Sequence, residues 1–204
     1  MEAIKRAFAK FLFWASYPIL KLIFPLHIHW EDKKDTRETL KHSCVVFSNH
    51  RGYVEGLYLT RVFNKYKVYT YVGKDWYDKK KINWLFRNLH YIPVDRQQMD
   101  TSWLDKGAEI VKNGNSIYIL PEGHTSKEGD MDEFKPGFLV LAKQADVPLV
   151  PVYIVNQFRP FHRTDIIVGK TMRPNLHEDG RPSLVMKKYC TECREYLYKL
   201  SKLR

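Results

Sequence analysis

Six short apolar runs, each stopping at polar or turn-forming residues, constrain this chain more than any other feature. They lie at 44–47 (Cys-Val-Val-Phe), 67–72, 91–94, 116–120 (Ser-Ile-Tyr-Ile-Leu), 147–155 and 166–169. Such runs are too short for helices and rich in β-branched and aromatic residues, so they read as strands. Helical patterns separate them: Leu57, Tyr58, Val62 and Phe63; then Leu104, Ala108 and Val111; then Phe138, Leu139, Leu141 and Ala142. Alternation of this kind predicts an α/β fold, one domain with a mixed, largely parallel sheet covered by helices. At 204 residues one core suffices, burying about 70% of the surface the unfolded chain exposes.

Smaller signals refine this outline. Pro148 and Pro151 place the 147–155 run at a sheet edge or strand start. Ser102 to Asp105 reads as a capping box, and Pro136 sits at the first turn of the helix that follows it. Residues 182–203 carry Val185, Tyr189, Cys193, Tyr196 and Leu200 at helical spacing, a cover for the sheet. Near the start, Leu26, Ile28 and Trp30 alternate with His27 and His29, predicting a further strand. Two His at that spacing can bind a metal, but no third ligand is in view, and they are expected to face solvent.

The ends of the strands carry the chemistry. In α/β folds ligands gather at the carboxyl ends of strands, and His50 stands two residues after the 44–48 segment. Glu55 follows five positions later, with Gly52 between to let the backbone turn. A carboxylate on one ring nitrogen fixes the tautomer and leaves the other nitrogen to take a proton from a hydroxyl. The run 116–120 ends in the same way, at Pro121-Glu122-Gly123-His124-Thr125-Ser126.

Lys and Arg outnumber Asp and Glu by 34 to 23, a net charge of +11, so an anionic partner is expected: nucleic acid, anionic lipid or a phosphorylated substrate. The segment 75–87 interleaves Trp76, Tyr77, Trp84 and Phe86 with Lys79, Lys80 and Lys81, a pattern that stacks bases or rests on a membrane. It occurs once and without an RNA-binding motif, so no nucleic acid is expected. Three cysteines form no framework and no zinc set, which fits a reducing cytosol.

Residues 1–26 form a unit of their own. Lys5, Arg6 and Lys10 precede an aromatic-rich apolar stretch that Ser16, Pro18 and Lys21 interrupt. It falls short of the roughly 20 apolar residues that span a bilayer. Its composition suits a monotopic anchor in the membrane interface, on the cytoplasmic face; the alternative is an ordinary N-terminal helix on the core. Residues 27–204 then hold the catalytic domain, its motifs within 44–155.

Four blocks in order complete the reading. His50-Arg-Gly-Tyr-Val-Glu55, Tyr91-Ile-Pro-Val-Asp95-Arg96, Leu120-Pro121-Glu122-Gly123 and Val147-Pro148-Leu149-Val150-Pro151-Val152 span about half the chain, with Phe134-Lys135-x-Gly137 between the last two. In these the chain resembles the glycerophospholipid acyltransferase superfamily, specifically the 1-acyl-glycerol-3-phosphate (lysophosphatidate) acyltransferases. The resemblance implies transfer of a fatty acyl group from acyl carrier protein or coenzyme A to a lysophospholipid hydroxyl at an anionic membrane surface. It implies His50 as general base with Glu55 orienting it. Arg96, Glu122, Gly123, His124, Thr125 and Lys135 are implied at the acceptor and its phosphate, with no metal and no organic cofactor. Two positions depart from the family pattern. Glu55 stands where the family ordinarily has Asp, and His124-Thr125-Ser126 replaces a Thr-Arg after Glu-Gly.

Overall fold

The computed structural model describes residues 2–52, 54–63, 66–81, 83–95, 101–124 and 130–203. Seven strands form one sheet: β1 (Leu26–Trp30), β2 (Val45–Ser48), β3 (Val68–Gly73), β4 (Tyr91–Val94), β5 (Ser116–Ile119), β6 (Leu149–Ile154) and β7 (Thr164–Val168). Their order across the sheet is β1-β7-β6-β2-β5-β3-β4. Every neighbouring pair is parallel except β6 and β7. The expected mixed, largely parallel sheet is therefore present. Eight helices accompany it among the described residues: α1 (Glu2–Ile23), α2 (Lys33–Lys41), α3 (Val54–Val62), α4 (Lys74–Tyr77), α5 (Asn83–Asn88), α6 (Ser102–Lys112), α7 (Gly137–Ala145) and α8 (Pro182–Ser201).

Strands covered on both faces are mostly apolar, and β2, β6 and β7 are buried throughout, with Ser48, Thr164 and Asp165 as buried polar residues near strand ends. Side chains of alternate parity feed two cores. Val45, Phe47, Ile117 and Leu149 meet Phe138, Leu139 and Leu141 of α7 and Tyr189, Cys193 and Leu197 of α8. Val46, Tyr118, Val150 and Val152 meet Tyr58 and Leu59 of α3, with Tyr17 and Leu20 of α1 and Phe24 at the margin. Burying one Leu or Phe side chain contributes about 1.5–3 kcal/mol, so these two layers supply most of the driving force.

Two expectations need correction, and the role of Gly52 is refined. The run holding Pro148 and Pro151 is not an edge, since β6 lies between β7 and β2, although Pro148 does stand immediately before the strand start at Leu149. Pro151 faces Gly169 one step beyond the last pair Val152↔Val168, and its carbonyl accepts from Gly169 N (2.9 Å). The return bond that a proline nitrogen cannot give is replaced from outside the sheet, because Gly169 O accepts from Thr36 Oγ1 (2.9 Å). The capping box does not form as read: α6 has Thr101 at its N-cap, with no side-chain cap bond. Gly52 has no left-handed φ. What it supplies is room, since a Cβ there would sit 3.3 Å from Gln157 Nε2.

The end of β2 is pinned to its neighbour by a side chain. Asn49 donates from Nδ2 to Ile154 O (3.0 Å) and accepts at Oδ1 from Ile154 N (2.7 Å), wholly inside the protein. Replacing Asn49 by Ala strands a buried donor and a buried acceptor, each costing about 1–3 kcal/mol. Asn49→Ala is expected to lower stability by about 2–4 kcal/mol, read as a shifted urea midpoint at unchanged m-value.

Candidate active site

His50 emerges just beyond β2, at the carboxyl end of the parallel strands. The adjacent ends of β5, β3 and β4 open beside it, and together they enclose a cavity of about 340 Å³. Its wall includes His50, Tyr71, Asp95, Trp103, Tyr118 and Lys135.

The first turn of α3 returns Glu55 to the strand end. Glu55 is fully buried, His50 is 11% exposed, and Glu55 Oε1 accepts from His50 Nδ1 at 2.5 Å. The same oxygen accepts from the backbone N–H of Arg51 at 2.6 Å. Oε2 is buried with no hydrogen-bond partner among the described residues. The longer Glu side chain therefore closes onto the imidazole without any break in the helix that carries it. With Nδ1 occupied by an acceptor, the ring proton belongs on Nδ1 and Nε2 becomes the basic nitrogen.

Glu122 acts on the same loop from below. Its Oε1 accepts from His50 N (2.7 Å) and its Oε2 from Asp132 N (3.0 Å). Burial pushes this carboxyl above the ordinary carboxylate range, against the opposing pull of those two backbone N–H groups. Glu122 thus holds the backbone that presents His50, tying together segments 72 residues apart.

Gly123 has φ +76, and a Cβ there would meet Lys135 Nζ at 3.0 Å. Only glycine combines that backbone with so close an ammonium. Lys135 thereby stands at the cavity wall. His124 is exposed and paired through Nε2 with Asp132 Oδ2 at 2.8 Å. Arg96 and Thr125 lie outside the described residues.

Several contributors had no sequence signal. The Tyr118 hydroxyl pairs with Ser48 Oγ (2.6 Å), and burial, then the Glu55 charge, raise its pKa well above the usual phenol value. The Tyr71 hydroxyl donates to Trp103 O (3.1 Å), joining β3 to α6 across the cavity wall. Only the period-2 alternation of Tyr69, Tyr71 and Tyr118 hinted that these rings share faces with the cores. The three cysteines are buried away from the cavity, and burial pushes the Cys44 and Cys190 thiols up to about 11. Neither supplies a thiolate nucleophile at neutral pH.

Comparison with known proteins identifies the family. The Acyltransferase family pattern matches residues 27–155. The chain is 29% identical over 115 residues to 1-acyl-sn-glycerol-3-phosphate acyltransferase BAT2, chloroplastic, of Brassica napus, covering 55% of this chain and 33% of that one. It is 31% identical over 125 residues to a probable 1-acyl-sn-glycerol-3-phosphate acyltransferase of Mycoplasma pneumoniae, covering 57% and 46%. Against the human 1-acyl-sn-glycerol-3-phosphate acyltransferase beta it is 26% identical over 147 residues, covering 71% and 51%. The chain thus spans between a third and a half of the length of these relatives. The crystal structure of the 1-acyl-sn-glycerophosphate (LPA) acyltransferase PlsC from Thermotoga maritima superposes with a TM-score of 0.62 at 16% identity, covering 100% of this chain and 99% of that one, and shares the fold. The matched segment takes in more than half of the sequence, from β1 to the end of β6, and includes His50, Glu55 and the cavity beside them: the chain belongs to the Acyltransferase family.

Proposed function

We propose that this protein transfers a fatty acyl group from a thioester, on acyl carrier protein or coenzyme A, to the free hydroxyl of 1-acylglycerol-3-phosphate, giving phosphatidate. The observation that carries the reading is the His50–Glu55 contact at a cavity whose wall also holds Lys135. His50 Nε2 takes the hydroxyl proton as the oxygen attacks the thioester carbonyl. The C–S bond then breaks, and the imidazolium returns its proton to the departing thiolate. Glu55 stabilises the imidazolium, and Lys135 with Arg96 and His124 takes the phosphate. A thioester is already activated, so no acyl-enzyme is needed, and the chain has no Gly-x-Ser-x-Gly elbow. Base catalysis contributes about 10²–10⁴-fold. Holding both reactants together contributes several kcal/mol more.

The substrates are amphiphiles, and α1 supports delivery from a membrane surface. No helix among the described residues is long and apolar enough to cross a membrane. Ile4, Phe8, Phe11, Leu12, Ile19 and Leu22 of α1 nevertheless stand exposed at helical spacing along one side. Such a stripe suits a helix lying in the interface, with the net charge of +11 drawn to anionic lipid on the cytoplasmic face. Residues 1–26 act as this anchor and 27–204 as the catalytic domain.

The His124–Asp132 pair favours a second reading, in which the acceptor is a different lysolipid, because a carboxylate beside the replaced motif position weakens its pull on phosphate. The test is a radiolabelled acyl-thioester assay in vesicles with lysophosphatidate and neutral or zwitterionic lysolipids as acceptors. Phosphatidate as the main product is expected. Transfer to another lysolipid in preference establishes the second reading, and transfer to none overturns both.

A further inference from the structure

We infer that His27, His29 and Asp165 form a binding site for a divalent transition-metal ion of the zinc type, separate from the catalytic cavity. The two His, on β1, turn to one face because residues two apart on a strand share a side. Parallel pairing of β1 with β7 sets His27 directly opposite Asp165. The sequence placed the two imidazoles together; the third donor comes from 136 residues beyond His29. Both imidazoles are substantially exposed, as expected from the sequence, and Asp165 supplies the third group that local spacing lacked.

The distances suit an ion. Asp165 Oδ1 lies 3.3 Å from His27 Nδ1 and 3.2 Å from His29 Nε2. A tetrahedral zinc ion with bonds of about 2.0–2.1 Å spaces its ligand atoms about 3.3–3.4 Å apart. All three donor atoms lie within 4.8 Å of one another, so the two nitrogens need only a small ring rotation to meet one ion. Arg163 Nη2 also reaches Oδ1, at 3.2 Å. One carboxylate oxygen has about two lone pairs, yet three nitrogen groups converge on it. An ion at that point gives each imidazole its own bond.

The support around the site is also present. Asp165 is almost completely buried, its backbone N–H donates to Asn156 Oδ1 (3.1 Å), and Arg163 Nη2 contacts Oδ2 (3.4 Å), the oxygen an ion on Oδ1 would leave outward. Groups that orient a ligand in this way govern affinity. His27 and His29 keep substantial exposure, so an ion can enter from solvent and water can take a fourth position. In the sheet order, β7 and β6 separate β1 from β2, the strand that leads to His50. Metal here would tie the edge strand that follows α1 to β7, a staple at the root of the proposed anchor.

The test is calorimetric titration of the purified, chelator-treated, tag-free full chain with ZnCl₂, followed by cobalt(II) absorption. The expected result is one equivalent bound with Kd below about 10 µM. His27→Ala and His29→Ala are each expected to weaken it tenfold or more, whereas exposed His162→Ala leaves it unchanged. Saturating zinc is expected to raise Tm by roughly 5 °C in the parent chain and not in His29→Ala. Both substituted side chains are substantially exposed, so the variants keep the fold, as circular dichroism checks. Weaker binding, or binding indifferent to His27 and His29, overturns the site.

Discussion

Replacing His50 with alanine is expected to lower kcat for acyl transfer by about 10²–10⁴-fold, the range of a positioned general base. The loss follows from geometry. His50 is the imidazole at the cavity wall, and its Nδ1 is held by a fully buried carboxylate. The variant should still fold. Glu55 Oε1 retains the backbone N–H of Arg51, so the carboxylate is not left without a donor. A stability loss of about 1–3 kcal/mol is expected from the deleted contact, and vesicle binding through α1 should persist. Ordinary turnover by a folded His50→Ala protein would remove the proposed base.

Shortening Glu55 by one methylene, to the residue the resembling family ordinarily carries, is expected to impair this chain rather than improve it. The carboxylate reaches His50 Nδ1 at 2.5 Å from its present position on α3. Withdrawing it by about 1.5 Å, one C–C bond, carries it beyond hydrogen-bond range unless α3 moves, and Val54–Val62 is packed against the sheet. Glu55→Asp should lower kcat by at least about tenfold with little change in KM. That split marks a group acting in the transition state through another residue. Glu55→Gln keeps an acceptor oxygen for both N–H donors and removes the charge that stabilises the imidazolium, so a kcat loss of about 10²-fold is expected with the fold retained. If Glu55→Asp matched the parent in kcat, or if both variants changed KM alone, Glu55 would not be positioning the base. Steady-state kinetics with stopped-flow controls for product release make the distinction.

These expectations depend on unequal contributions from sequence and tertiary structure. Strands β2 and β5 were legible because a strand covered on both faces is dominated by apolar residues, and few other elements tolerate such a short run. His50 was legible for a related reason: chemistry at the end of a parallel strand follows directly from where the strand stops. Glu55 could be assigned to His50 because a turn of only four intervening residues limits how far the carboxylate can stray from the strand end.

Other features resisted a linear reading. Pro151 looked like an edge marker because proline removes a donor, yet the carbonyl it leaves unfilled, Gly169 O, accepts from Thr36 Oγ1 instead, and only the tertiary structure reveals that. The hold of Glu122 on His50 N, the Asn49 clamp on Ile154 and the convergence of Asp165 on His27 and His29 join residues 72, 105 and 136 positions apart. The sequence by itself determined the alternation of elements, the pairing of His50 with Glu55 and the family pattern, because these rest on local periodicity and short spacing. Tertiary structure alone decided strand order, which carboxylate oxygen meets which donor, and the meeting of Asp165 with His27 and His29 at the sheet edge, because sheet crossovers bring together residues whose separation leaves no local trace.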